Sequence, residues 1–400
     1  MRVAIIVDHP FEAPLGYSIR PKQLSVHLAK LGCEVHVLSP IDVRYKFSNN
    51  LILHGISSHK AIFMKRLHRL LRKTYKNSVF ARYLYRRRVF NRLAKQLADS
   101  LYLKVKNCGA EVLQGEKEIA AMAAVILGKR LGIPVVADIH GLLAEEAVQY
   151  GFIESGGREY FESIAFVSEV LCESDAVVVV SESLKDYLVK SSGIDDRKIF
   201  TVPNAGTFRG IIRSSKAMPR NIVYAGILEP WERVELAIKS MLYVTKVKRE
   251  ARLLIAGTGS IEKDLVKLVN RLKLNDYVSF IGTIPYEKVA GFLAQGDVAV
   301  LPSTTDIVRK VACPIKLFDY LAIGLPVVTI NGLWWSDFVR LHGVGLASDD
   351  EPKSFANAIN ELLSSPDKIS VMSKNAVKLV KQQYNWREMA KKMLEVYEKL

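Results

Sequence analysis

The sequence predicts an α/β protein of two domains, each built on a parallel β-sheet covered by helices. The chain has 400 residues, 49% of them apolar, which is enough for two hydrophobic cores. Short apolar runs alternate with helical patterns along the chain, which is typical of parallel sheets. This alternation is interrupted once, near residue 205, by the aperiodic stretch "NAGTFRGIIRSSKAMPRN", which we interpret as a linker.

The first half opens with a βαβ pattern. The run "VAIIVD" at 3–8 is predicted to be a buried strand, followed by a loop containing Gly16, a helix near 21–31 and a strand at 33–39. Further strands are expected at 110–113, 134–139, 176–181 and 199–202. The first domain is therefore predicted to span 1–205.

The series of strands and helices restarts after the linker. Strands are expected at 222–226, 252–256, 278–282, 297–301 and 325–330. We predict a second domain at 206–384 and a final helix at 385–400. Open α/β sheets bind ligands beyond the carboxyl ends of their strands, and two such domains leave a cleft, so a ligand is expected there.

Most of the net charge of +16 comes from one segment. Residues 60–106 contain fifteen Lys or Arg and one acid, Asp99, which accounts for +14. Apolar residues there recur near helical spacing, which predicts one or two basic amphipathic helices. They indicate a contact for an anionic acceptor or membrane surface, the alternative being a solvated helix face. The candidate contacts are Arg66, Arg69, Arg86, Arg87 and Arg88.

The remaining composition predicts a cytoplasmic protein. The apolar run in "MRVAIIVDHP" is too short for a signal peptide, and "AVVVV" at 176–180 is too short to span a bilayer. The cysteines are widely spaced, which indicates buried apolar residues in a reducing compartment rather than disulfides or a zinc site. These are Cys33, Cys108, Cys172 and Cys313.

The stretch "CPIKLFDYLAIGLPVV" at 313–328 predicts a helix at 314–323, since Pro314 suits its start and Gly324 its end. Lys316 lies in the first turn, where the helix dipole disfavours a cation, so an anion is expected beside it. Lys316 and Asp319 share a face, and together they would suit a phosphate and a sugar diol. The alternative is an exposed Lys/Asp pair.

Two further motifs bear on chemistry. The strand–turn–helix "LLIAGTGSIEKDLVKLV" exposes backbone N–H groups near Gly257 to a possible phosphate, although such a turn also serves tight packing. In "VVADIHGLLAEE", His140 ends a strand, where it is able to orient or deprotonate a hydroxyl or serve only a structural purpose. No DxD motif or metal spacing occurs, so no metal site is expected.

Several motifs together resemble family 4 retaining glycosyltransferases. Those of the donor-binding half are "AGILEPWERVELAI", "LLIAGTGS", "VSFIGTIP", "DVAVLPS" and "PIKLFDYLAIGLPVV", in this order and spacing. The first half contributes "PLGYSIRPKQLSVHLAKLGCEVHVLS", "VSESLKDYL" and "VPNAG", similar to the family's glycine loop and the segments leading to its hinge. The end, "NWREMAKKMLEVYEKL", resembles the C-terminal helix that crosses back onto the first domain. The resemblance covers nearly the whole chain.

The resemblance implies a GT-B fold, in which two Rossmann-like domains with parallel sheets face a central cleft. It implies transfer of a sugar from a UDP- or GDP-linked donor to a glycan or lipid-linked acceptor, with retention of configuration. The nucleotide sugar is then a co-substrate, and no metal or other cofactor is implied. Nucleic acid is not expected as a partner, because the chain lacks zinc knuckles and RNA-binding sheet aromatics.

The resemblance also implies roles for individual residues. Asp319 stands where a glutamate usually bonds the ribose hydroxyls, and Lys316 faces the diphosphate, which would be the anion expected beside it. His140 matches a histidine near the transferred sugar. The expected donor-binding residues are Gly16, Arg20, Gly226, Gly257, Lys316 and Asp319, and the expected catalytic residues are His140, Lys316 and Arg233.

Three positions depart from the family pattern. Ile227 and Glu232 stand where an arginine and a lysine usually contact the diphosphate, and Val311 replaces the first glutamate of a paired motif. Positive charge would then come from Arg233, Arg309, Lys310 and Lys316. The alternative is a non-catalytic GT-B scaffold or partner subunit with a degenerate donor site.

Overall fold

Two separate β-sheets organise the chain, which we describe from a computed structural model. The N-terminal unit comprises Met1–Pro203, Val311–Cys313 and Trp386–Leu400, and the C-terminal unit comprises Asn204–Lys310 and Pro314–Asn385. The structure describes residues 1–9, 11, 16–39, 44–48, 50–55, 79–207 and 220–400.

The sheet of the N-terminal unit has the strand order β3-β4-β2-β1-β5-β6-β7-β8 within the described residues. All neighbouring strands are parallel except β3 and β4, which are antiparallel. Every residue of β5, β6 and β7 is buried, as expected for strands covered on both faces. The strands are β1 (Arg2–Ile6), β2 (Glu34–Ser39), β3 (Arg44–Ser48), β4 (Leu51–Gly55), β5 (Val112–Glu116), β6 (Val135–Ile139), β7 (Ala176–Val179) and β8 (Ile199–Thr201).

Helices follow most of these strands, as the alternating pattern predicts. The α7 helix begins after Ser181, whose hydroxyl accepts a hydrogen bond from the Leu184 amide at 3.1 Å and so caps the helix. The helices are α1 (Gly16–Lys30), α2 (Val79–Leu84), α3 (Arg87–Cys108), α4 (Lys117–Leu131), α5 (Leu143–Gln149), α6 (Arg158–Glu173) and α7 (Glu182–Ser192).

The C-terminal unit contains a fully parallel sheet with the order β11-β10-β9-β12-β13-β14. This is the Rossmann order, in which the direction of strand succession reverses between β9 and β12. The strands are β9 (Asn221–Ala225), β10 (Arg252–Ala256), β11 (Val278–Gly282), β12 (Val298–Leu301), β13 (Val327–Ile330) and β14 (Gly345–Ser348). The helices that accompany them are α8 (Val234–Val247), α9 (Glu262–Arg271), α10 (Tyr286–Leu293), α11 (Ile307–Val311), α12 (Ile315–Ala322), α13 (Trp334–Leu341), α14 (Pro352–Leu363) and α15 (Pro366–Gln382).

The last helix, α16 (Trp386–Tyr397), belongs to the N-terminal unit and packs against α1. Its apolar face, which includes Trp386, Met389 and Met393, is buried. The hydroxyl of Tyr397 donates a hydrogen bond to the side chain of Gln114 on β5. This bond ties the end of the chain to the centre of the first sheet.

The sequence patterns miss three strands and misplace one helix start. The β4 strand shows period-two burial and is detectable in "LILHG", whereas β3 and β14 carry weaker signals. The α1 helix begins at Gly16 rather than near residue 21, because Pro21 removes a single backbone hydrogen bond and the helix tolerates this. Of the four free cysteines, Cys172 is exposed rather than buried.

Candidate functional site

The carboxyl ends of β9 and β12 lie at the point where the strand order of the C-terminal sheet reverses. Open α/β sheets bind ligands at this switch point, because the connections leave opposite faces and open a crevice there. The loop after β9 and the first turn of α12 meet here, since Gly226 and the amine of Lys316 lie together. The fold thus brings together residues that are 90 positions apart in the sequence.

Two glycines allow a close approach of backbone at this edge. A Cβ at Gly226 would lie 2.9 Å from the Tyr224 hydroxyl and 3.2 Å from the Lys316 amine. Gly257 has a φ of 136°, and a Cβ there would overlap the Gly226 carbonyl oxygen. The predicted donor-binding residues Gly226, Gly257 and Lys316 therefore lie in one cluster.

Lys316 is paired with a carboxylate of the protein. Its amine forms an ion pair with Glu232 and lies 3.4 Å from the Tyr224 hydroxyl. Burial lowers the pKa of Lys316, while Glu232 opposes this decrease. Glu232 thus supplies an anion beside Lys316 from the protein itself, and the leaving diphosphate that we predicted there stays a prediction. The sequence marks Glu232 only as an unusual residue in the loop.

Two other cations that we predicted near the donor, Arg309 and Arg233, have different partners. The guanidinium of Arg309 lies 3.9 Å from the second oxygen of Glu232, so it joins the Lys316 cluster. Arg233 forms ion pairs with Glu235 at 3.0 Å and Asp350 at 2.7 Å. These pairs commit Arg233 elsewhere in the described part of the chain, which argues against its predicted catalytic role.

Val311 has a structural explanation. It is 2% exposed, and its carbonyl oxygen accepts a hydrogen bond from the Ser181 hydroxyl at 2.6 Å. A carboxylate at this buried position would have to find a partner, which a valine does not need.

Asp319 lies one turn after Lys316 and receives hydrogen bonds from neutral donors. The Tyr286 hydroxyl lies 3.2 and 3.3 Å from its two oxygens, and the Thr207 amide lies 3.4 Å away. The same three residues line a cavity of about 10 Å³. Asp319 therefore already accepts bonds from a hydroxyl, which is the function predicted for it toward a ribose.

The N-terminal unit contains a second charged network, centred on Asp138 at the end of β6. Arg20 donates two parallel hydrogen bonds of 3.0 Å to its two oxygens and a third, of 2.9 Å, to the Val202 carbonyl. Both side chains are almost inaccessible, at 2% and 0% exposure. The Arg20 donors thus have partners inside the unit, and the contact with a diphosphate that we predicted for Arg20 stays a prediction.

His140 closes this network. Its Nε2 lies 3.1 Å from Glu116 and 3.3 Å from Asp138. Burial alone would lower the pKa of His140, but the two carboxylates outweigh it and raise the pKa to about 9. Burial likewise opposes ionisation of Asp138, yet Arg20 and His140 hold its pKa at about 2. His140 is therefore a protonated hydrogen-bond donor at neutral pH.

Glu116 and Gln114 are members of this network that sequence reasoning missed. Gln114 donates to Glu116 at 2.6 Å and to Asp138 at 3.3 Å. Burial, together with Asp138, raises the pKa of Glu116. The available signal was the run "LQGE", in which polar residues end an otherwise apolar strand.

Glu116, Asp138 and His140 also bring three potential metal ligands within 4.8 Å of one another. The sequence shows no metal-ligand spacing, so this group was not predicted from it. Arg20 occupies both oxygens of Asp138, so a cation there would compete with a guanidinium that is already bound. The donor set therefore fits an ion-pair network better than a metal site.

Two basic side chains at the start of α3 face acidic ones on α6. Arg86 pairs with Glu159 at 3.1 Å, and Arg87 pairs with Glu169 at 2.9 Å. Arg88 lies over the Tyr83 ring at 5.3 Å. Arg66 and Arg69 lie outside the described residues. The amphipathic helix is present in α3, but part of its positive charge is balanced within the protein.

Among the described residues, no helix combines the length and apolarity that crossing a membrane requires.

Family models match almost the entire chain. The model of Glycosyltransferase Family 4 matches residues 18–205, and the model of Glycosyl transferases group 1 matches residues 211–398.

Curated relatives and solved structures agree with these models. Glycogen synthase from Mycobacterium tuberculosis is 24% identical over 74% of this chain and 72% of its own. The gpi3 subunit of phosphatidylinositol N-acetylglucosaminyltransferase from Schizosaccharomyces pombe is 19% identical over 99% of this chain and 80% of its own. Sucrose-phosphate synthase from Thermosynechococcus elongatus superposes with a TM-score of 0.75 at 17% identity, covering 100% of this chain and 99% of its own. Anabaena HepE in complex with UDP-glucose gives 0.69 at 14% identity, covering all of both chains. These similarities show the GT-B fold.

Proposed function

Because this chain belongs to family 4 of the glycosyltransferases, we propose that it transfers a sugar from a UDP- or GDP-linked donor to a glycan or lipid-linked acceptor. The observation that carries this proposal is the cluster at the switch point of the C-terminal sheet. There, the Lys316 amine lies beside the Gly226 turn, which packs against the Gly257 turn. Lys316 and Arg309 lie on the two oxygens of Glu232. HepE, a structural neighbour, binds UDP-glucose, which supports the choice of donor.

Charge stabilisation is the main chemical task at such a site. Departure of a nucleoside diphosphate leaves negative charge, which fixed cations and helix N–H groups are able to stabilise. Lys316 in the first turn of α12, with Arg309 beside it, would serve this purpose without a metal ion. We propose retention of configuration, with the leaving diphosphate itself accepting the proton of the acceptor.

Asp319 and His140 would bind hydroxyl groups. Asp319 would accept hydrogen bonds from the ribose, which requires the Tyr286 side chain to move, because the adjoining cavity of about 10 Å³ holds about one water. His140, protonated and held by Glu116 and Asp138, would donate to a hydroxyl of the transferred sugar. It would position the sugar rather than abstract a proton.

Calorimetry with UDP, GDP and their sugars tests the donor assignment directly. We expect calorimetry to show binding of one nucleotide series. Transfer or hydrolysis of the corresponding sugar nucleotide should persist in EDTA, and the NMR spectrum of the product should show the anomeric configuration of the donor. Loss of turnover in EDTA would reject metal independence, and an inverted product would reject retention. The absence of heat with every nucleotide would reject the donor site.

Two observations bear on the acceptor class. The names of the phosphatidylinositol N-acetylglucosaminyltransferase relatives indicate a lipid acceptor for those proteins. The basic segment at 60–106 would bring this chain to an anionic cytoplasmic membrane surface. Sedimentation with phosphatidylserine vesicles should show binding at low salt that weakens at high salt. Failure to bind at either salt concentration would exclude this membrane contact.

A second candidate is a non-catalytic GT-B subunit, and Glu232 favours it. Its carboxylate neutralises part of the positive charge that a diphosphate would need. The same calorimetry separates the two functions, because a degenerate site would bind no nucleotide.

A further inference from the structure

Glu232 lies at the centre of the cation cluster rather than at its edge. One of its oxygens forms the ion pair with Lys316 and lies 3.3 Å from the Tyr224 hydroxyl, and the other lies 3.9 Å from Arg309. The residue is only 5% exposed. A single buried carboxylate therefore faces both cations proposed for the donor.

The loop that carries Glu232 is held in place by contacts on both sides. The carbonyl of Trp231, which is 6% exposed, accepts a hydrogen bond from the Thr304 amide at 2.9 Å. Earlier in the loop, Glu229 accepts a hydrogen bond from the Ser260 amide at 3.1 Å. Directly after Glu232, Arg233 adopts a left-handed backbone with φ of 50°. Such a conformation persists only where the surroundings impose it, so this loop is fixed.

The Glu232 carboxylate acts against burial on the pKa of Lys316. Burial and the nearby Arg309 both favour the neutral amine, while Glu232 favours the ammonium. The Tyr224 hydroxyl also lies beside the amine, at 3.4 Å, and the centre of its ring is 5.1 Å away. The titratable groups that follow on α12 itself are Asp319 and Tyr320. Tyr320 donates to the Ala225 carbonyl, and Asp319 is bound by Tyr286. Glu232 is therefore the anion that acts on Lys316.

We propose that Glu232 is a positioning residue, which keeps Lys316 charged and aimed at the Gly226 turn before a donor arrives. Its function in turnover rests on the proposed donor site, whereas its effect on Lys316 does not. The competing interpretation is a blocking carboxylate, which a diphosphate must displace.

Two measurements on Glu232→Gln test the proposal. The first is the pH dependence of acetic anhydride labelling at Lys316, followed by mass spectrometry without any ligand. Only the neutral amine reacts, so the labelling curve of Glu232→Gln should lie at lower pH than that of the native protein. The second is the pH profile of kcat/KM for the nucleotide sugar that binds. We expect Glu232→Gln to lose kcat/KM relative to the native protein as the pH rises, because the neutral amine becomes more abundant in the variant. At low pH, where Lys316 is protonated in both proteins, the two values should converge.

Glu235→Gln is the matched control, because Glu235 follows the same loop and pairs with Arg233 instead. Glu235→Gln should shift neither the labelling curve of Lys316 nor the pH profile of kcat/KM. If Glu232→Gln fails to fold, Glu232→Asp keeps the charge and should retain the native labelling curve.

The outcomes separate the two proposals. An unshifted labelling curve overturns the positioning role, whether or not the protein binds nucleotides. Tighter UDP binding by Glu232→Gln with an unshifted curve would identify the blocking carboxylate. A shifted curve in a protein that binds no nucleotide supports the action on Lys316 and rejects only the transferase function.

Discussion

Each unit of the molecule contains a cation–carboxylate pair at the carboxyl edge of its sheet, and the two pairs differ in the solvent exposure of the cation. In the N-terminal unit, Arg20 and Asp138 are 2% and 0% exposed, and Arg20 forms a two-point contact. In the C-terminal unit, the Lys316 side chain is 19% exposed and lies beside the Gly226 turn. The first pair is sealed inside the unit, whereas the second reaches its surface.

This difference separates a scaffold from a site. A guanidinium with all its contacts inside the unit cannot bind a ligand without first breaking a buried pair, which costs several kcal/mol. A partly exposed amine on one carboxylate has remaining donor capacity and a shorter path to a ligand. We therefore propose a structural role for the Arg20 pair and retain donor binding as the proposal for the Lys316 pair.

The largest expected effect follows from removing the sealed cation. Arg20→Met leaves Asp138 buried without its guanidinium, so the free energy of unfolding should fall by about 3–5 kcal/mol in urea denaturation. Arg197→Met is the control, because Arg197 is 89% exposed in its pair with Asp195, so its loss should lower the stability far less than the loss of Arg20. Equal effects of the two variants would mean that the Arg20 pair is no more structural than a surface pair.

Removing the partly exposed cation, Lys316, should affect turnover more than stability. Lys316→Met should lower kcat by about 10²–10³-fold, the range typical for loss of one charge-stabilising donor, with steady-state assays as the measurement. Its loss of stability should be smaller than that of Arg20→Met, because Glu232 keeps contacts with Tyr224 and Arg309. Lys267→Met, on the surface of α9, should leave turnover unchanged. An unchanged kcat in Lys316→Met would mean that the donor binds elsewhere.

The smallest expected effect is a pH dependence confined to the sealed network. The pKa of His140 is raised from 6.5 to about 9, so its protonated form stabilises the folded state fully below pH 6.5. This contribution, about 3 kcal/mol, is lost as the pH rises through 9. The measurement is urea unfolding of native protein and His140→Gln between pH 6 and 10. The two stability curves should converge with rising pH, and parallel curves would contradict the raised pKa.

Local sequence patterns account for most of the fold. The apolar runs at 3–8, 134–139 and 176–181 locate β1, β6 and β7, because a parallel strand buried on both faces is largely apolar, although β6 also buries Asp138. The β14 strand, "GLAS", escapes detection because half of it is only partly buried and it is four residues long. The helix around Lys316 is predictable because proline and glycine act on the backbone locally.

The partners of the charged residues are not predictable in this way. Glu232 and Lys316 are separated by 84 positions, and Arg20 and Asp138 by 118. No local pattern specifies which carboxylate faces which cation over such distances. Arg20 and Lys316 are candidates in the sequence, but the role of each depends on the residue that it pairs with in the structure.

The sequence alone determined the α/β class, the restart of the pattern near residue 205 and the family motifs, because periodicity and turn chemistry act between near neighbours. Only the tertiary structure decided that Arg20 belongs to the scaffold and that Lys316 already has an anion. The reason is that charge pairing depends on the distance between two groups and on their burial, and both are set by the spatial order of the strands in each sheet.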